Sequence, residues 1–102
     1  MSILENYFGS DYKKSTVWAK GHEIPGYDKN VWRRDDHGWA MKYSDYGDRN
    51  SEYGWEFDHY PVPAILGGAD DISNLRPLHW EGNATHGGLL GAFLNNPMTG
   101  RT

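Results

Sequence analysis

The sequence predicts a small α+β domain made of short strands, turns and short helices. Three observations lead there. A length of 102 residues allows one domain with one modest core. Thirteen glycines and five prolines interrupt the chain too often for much long regular structure, while 15% of residues are aromatic and must fill much of that core. The stretch from Gly54 to Gly88 reads as strand, long loop, strand and short helix, a ββα unit of about thirty-five residues.

Residues 1–30 carry no clean period. "LENYFGS" reads as a short helical start, and "STVWAKG" as a strand or a helical turn. Pro25-Gly26 favours a type II turn, since proline presets φ and glycine supplies a positive φ. Gly38 and Gly47 break "VWRRDDHGWAMKYSDYGDRN", leaving a short strand at Met41 to Tyr43. "DYGDRNSEYG" is a polar loop.

The pattern sharpens after Gly54. In "WEFDHY", Trp55, Phe57 and His59 fall on one face of a strand and Glu56, Asp58 and Tyr60 on the other. "PVPAILGGADDIS" is a loop, because Pro61 and Pro63 lack the donors of a central strand and Gly67-Gly68 turns the chain. "NLRPLH" is a second strand, confined by Pro77 to an edge or a strand end. "WEGNATHGG" is a two-turn helix from Trp80, ending at Gly87-Gly88, and "LLGAFLNN" is an apolar stretch that returns to the core. The expected organisation is one domain: 1–53 packing on the core, 54–88 carrying the ββα unit, and 89–102 as a tail.

The absence of cysteine excludes disulfides and cysteine-based zinc sites. No apolar run reaches the ~18 residues of a membrane span, and the N-terminus lacks the pattern of a signal peptide. The expected location is cytoplasmic. A net charge of −4 argues against coating nucleic acid by bulk electrostatics. Lys13, Lys14, Lys20, Lys29, Arg33 and Arg34 cluster in the first third, interspersed with acids, as on a mixed solvated surface.

"EFDH…GGADDISNL…LHWEGN" resembles the HNH endonuclease motif, the ββα-metal (His-Me finger) nuclease fold. The matching residues are Asp58-His59, Gly67-Gly68, Asn74-Leu75 and Asn83, with fifteen positions from His59 to Asn74 and nine from Asn74 to Asn83. Many members carry two CxxC pairs around a structural zinc. This chain has none, so Trp and Tyr packing must replace that metal. Gly82, next to Asn83, weakens the helix by about 1 kcal/mol relative to alanine. After Asn83 the chain reads "ATHGGLLG", where relatives are often basic.

The resemblance implies metal-dependent hydrolysis of DNA phosphodiester bonds. Such cleavage needs a base for water, and imidazole titrates near the working pH. A divalent cation can neutralise the phosphate and the leaving oxygen, and Mg²⁺ is content with two protein oxygens because it retains several waters. By resemblance His59 is the general base. Asp58 and Asn83 are the ligands of the cation, with Mg²⁺ expected first and Mn²⁺, Ni²⁺ or Zn²⁺ as other candidates. Asn74 braces the loop that holds His59. His79, His86 and Arg76 are candidate phosphate or metal contacts, while His22 and His37 read as surface or core residues. The plainer alternatives are a packed histidine at His59, a turn carboxylate at Asp58, a turn residue at Asn74 and an exposed helix amide at Asn83. Two rival functions stand beside the nuclease. One is a non-catalytic nucleic-acid or protein-binding module on the same scaffold, and the other is a structural zinc site on His59, His79 and His86.

Overall fold

Helix α1 runs from Ile3 to Trp18, and it replaces both the short helical start and the ambiguous "STVWAKG". Ser15, Thr16 and Val17 are indifferent helix formers, but Val17 and Trp18 are buried, and burial outweighs propensity. The computed structural model describes the backbone of residues 3–85 and the side chains of residues 11–83. The tail at 89–102 and the stretch "LLGAFLNN" lie outside the described residues.

After α1 come β1 (His22–Glu23), β2 (Trp32–Arg34) and β3 (Ala40–Lys42), an antiparallel sheet in the order β1-β2-β3. The Pro25-Gly26 turn links the first two, with the Tyr27 amide donating to Ile24 O at 3.0 Å and Gly26 at φ 86°. A second antiparallel pair follows: β4 (Trp55–His59) and β5 (Leu75–His79), with Trp55 opposite His79, Asp58 opposite Arg76 and His59 opposite Leu75. Helix α2 (Trp80–Thr85) leaves directly from β5. Pro77 faces Phe57 in this two-strand ladder, where both strands are edges and a proline is tolerated. The described residues therefore form a small α+β fold with two sheets.

Val17, Trp18, Met41, Trp55 and Leu75 form the core, flanked by Tyr43 and Phe57. The Trp18 and Trp55 rings lie 5.1 Å apart. Their indole N–H groups donate to Lys29 O at 3.0 Å and to Tyr43 O at 3.1 Å, so both large rings are buried without orphaning a donor.

Asp35, only 2% exposed, ties the two sheets together. Its Oδ1 accepts from the amides of His37 (2.9 Å) and Trp39 (2.8 Å), and its Oδ2 from the amide of His79 (2.9 Å). Above this knot the Trp39 ring stacks on His79 at 4.5 Å. Gly82 completes the layer: a Cβ there would meet Trp39 Nε1 at 2.9 Å. The glycine that weakens α2 in isolation is what lets the helix lie against the indole.

Several of the clustered basic residues are internal braces. Arg33 donates to Lys29 O, Ala19 O and Gly21 O, and Arg34 to Gly38 O. Lys20 reaches from the end of α1 to Ile72 O and to Leu75 O. Lys14 lies over the Tyr43 ring at 5.0 Å. No described helix is long and apolar enough to cross a membrane.

Candidate functional site

The loop between β4 and β5 is stapled by Asn74. Its Oδ1 accepts from the Val62 amide at 3.0 Å, and its Nδ2 donates to Val62 O at 2.9 Å and to Ala69 O at 3.1 Å. The Tyr60 amide donates to Asn74 O at 2.9 Å. One side chain thus grips both limbs of the loop. Gly67, at φ 86°, turns its tip, where Ile65 and Leu66 stand exposed.

Strand alternation separates the adjacent pair Asp58 and His59. Asp58 turns to a cavity of about 230 Å³ lined by His37, Asp58, Arg76, Leu78, Gly82 and Asn83. His59 is not in that lining. It is the last residue of β4, and its Nε2 lies 2.5 Å from Asp70 Oδ1. The hydrogen bond from His59 holds the Asp70 carboxyl below the ordinary carboxylate range. The chain then leaves the strand at Tyr60-Pro61, so both side chains flank the open end of β4.

Within the cavity, Arg76 Nε donates to Asp58 Oδ2 at 2.9 Å and its NH1 to Asp36 Oδ2 at 3.1 Å. The guanidinium lies 4.0 Å from the centre of the Tyr60 ring. Asp36 also meets His22 Nε2 at 2.8 Å. Burial alone would raise the Asp36 carboxyl, but the hydrogen bonds from His22 and Arg76 outweigh it and hold the group below its ordinary range. Asn83 enters from α2, and its Nδ2 donates to Glu56 Oε1 at 2.8 Å. Arg49 fixes Glu56 in turn, at 2.7 and 3.1 Å. With its amino side committed to Glu56, Asn83 has its carbonyl side left for the cavity.

Carboxylate and amide oxygens are the donor types that hard divalent cations take. Asp58 and Asn83 bring one of each to the same cavity, where the Asp58 carboxylate is also paired with Arg76. His37 also lines this cavity. Among the described residues, no group of three or more His, Cys, Asp or Glu side chains is placed to hold a metal.

The structure places His79 outside the cavity lining, buried between Trp39 and Trp80. It is 0% exposed, its Nε2 lies 2.7 Å from Glu52 O, and its Nδ1 accepts from the Glu81 amide at 3.1 Å. Both ring nitrogens are engaged inside the protein, where the residue packs and braces. His86 lies outside the described residues. Arg76 faces the cavity as a cation already paired with Asp58 and Asp36.

Sequence reading missed His37, Asp36, Asp70 and Glu56. His37 reads as a surface or core residue because it lies outside the Gly54–Asn83 stretch that carries the motif. Its place on the cavity follows from the Asp35 knot, which joins residues 44 positions apart. No protein-family model, curated protein or solved structure gives a significant match to the chain.

Proposed function

We propose that this protein is a metal-dependent HNH-type endonuclease that hydrolyses DNA phosphodiester bonds, with the strand-loop-strand-helix segment serving as a ββα-metal core. The observation that carries the reading is the meeting of Asp58 from β4 and Asn83 from α2 on one cavity, beside a loop that Asn74 staples next to His59. Residue types at family spacing are thereby joined to a cavity of suitable chemistry.

A bound divalent cation would supply charge neutralisation for the phosphate and for the departing oxygen. Asp58 and Asn83 would hold it. His59 takes a proton from water as the water oxygen bonds to phosphorus, and the bond from phosphorus to the leaving deoxyribose oxygen breaks. The leaving oxygen takes its proton from solvent. Arg76, stacked on Tyr60 and anchored by Asp36, offers a fixed positive charge to the phosphate. Asn74 acts on none of the reacting atoms and keeps the loop in place.

The test is nicking of supercoiled plasmid by purified protein with Mg²⁺, Mn²⁺, Ni²⁺ or Zn²⁺ and with chelator. Cleavage that requires a divalent ion and disappears in His59→Ala supports the reading. Folded protein that binds DNA without cutting it under any of these ions replaces the nuclease with a binding module.

A further inference from the structure

The contact between His59 and Asp70 is absent from the motif that singles out His59, and it has a direct chemical consequence. The two residues are eleven positions apart. What brings them together is the staple: Asn74 Nδ2 holds the carbonyl of Ala69, the residue immediately before Asp70. The same amide group holds Val62, three positions after His59. The Asp70 backbone is thus tethered to the end of β4 through one side chain.

A carboxylate accepts and cannot donate, so a neutral imidazole bonded to it through Nε2 must carry its proton on that nitrogen. Nδ1 is then the nitrogen with a free lone pair. We propose that Asp70 is a positioning residue that fixes the His59 ring by accepting from Nε2–H, leaving Nδ1 as the nitrogen that takes the proton. The lowered Asp70 carboxyl agrees with this, since a group that stays ionised stays an acceptor. The Asp70 side chain is 82% exposed, so the pair adds little to stability, and its effect is to be sought in the orientation of the ring. The same division of labour, one group reacting and a carboxylate orienting it, underlies catalytic triads. The role of Nδ1 in water activation rests on the nuclease reading; the hydrogen bond does not.

The experiment compares wild type, Asp70→Ala and Asp70→Asn. Asparagine keeps an oxygen that can accept from Nε2–H, and alanine keeps none. Imidazole ¹⁵N–¹H spectra at mildly alkaline pH should place the His59 proton on Nε2 in wild type, as a low-field, hydrogen-bonded signal. Asp70→Ala should lose that signal and Asp70→Asn should retain it. In plasmid cleavage, Asp70→Ala should lower kcat about ten- to a hundredfold with KM changed less than about twofold, and Asp70→Asn should recover most of the loss. A wild-type spectrum with the proton on Nδ1, an Nε2–H signal unchanged in Asp70→Ala, or an undiminished kcat in that variant overturns the proposal. Protein that cuts no DNA but shows the expected spectra refutes the nuclease reading and leaves the Asp70–His59 coupling standing.

Discussion

Replacing Asn74 by alanine separates a stapled loop from a coincidence of residue types. The side chain is 8% exposed and makes three hydrogen bonds to main chain, two to Val62 and one to Ala69. Each is worth about 1 kcal/mol net, and a buried partner left unpaired costs about 1–3 kcal/mol. Water can reach parts of this loop, so the sum should fall near the lower bound, about 2–3 kcal/mol. For a domain of this size each kcal/mol moves Tm by about 4–8 °C, which gives a drop of about 8–24 °C. Activity should fall as well, because the released limbs include the neighbours of Asp70 and His59, and a displacement of ~1 Å can cost about a hundredfold in rate. Thermal melts by circular dichroism and plasmid nicking well below Tm measure the two effects. Asn74→Asp sharpens the test: it can still accept from the Val62 amide but cannot donate to the carbonyls of Val62 and Ala69. It should therefore do no better than alanine. An Asn74→Ala protein with Tm within about 2 °C of wild type and an unchanged rate would refute the staple.

Four further outcomes are expected. His59→Ala should lower cleavage by about 10²–10⁴-fold while its melt stays near wild type, because its hydrogen-bond partner Asp70 is exposed; a wild-type rate in folded variant removes His59 from the chemistry. Asp58→Ala and Asn83→Ala should each raise the divalent-ion concentration for half-maximal cleavage, and metal titration by calorimetry should show the same weakening without DNA. Asp35→Ala should leave three amides unpaired and cost about 3–5 kcal/mol, read from denaturant melts; a loss under about 1 kcal/mol would mean that the knot is dispensable. Asp36→Asn tests pH dependence. Because folding lowers the Asp36 carboxyl, the folded state binds fewer protons in that window, so this stabilisation is present above the ordinary carboxylate range and is lost as pH falls through the lowered value. The stability gap between wild type and Asp36→Asn should be full at neutral pH and close below about pH 3.9, as followed by denaturant melts across that range.

Local order was legible in the sequence where one short stretch carries its own signal. The alternation of "WEFDH" matches β4, and the prolines and glycines after it match a loop with a positive-φ turn at Gly67. The strand at Leu75–His79 and the helix from Trp80 follow from the same kind of local reading. The spacing that ties Asp58 and His59 to Asn74 and Asn83 is likewise a property of the chain alone. Packing decided the rest. Residues up to Trp18 became one helix because the burial of Val17 and Trp18 overrides weak propensity. His79 lies buried between Trp39 and Trp80, an arrangement that no period in the sequence encodes. Gly82 reads as a defect until Trp39 lies against it. His37 reaches the cavity, Asp36 reaches Arg76 across 40 positions, and Asp70 reaches His59, through contacts formed only when separate elements meet. Periodicity and turn chemistry act over a few residues, whereas a hydrogen bond between distant side chains depends on where the whole backbone has put them.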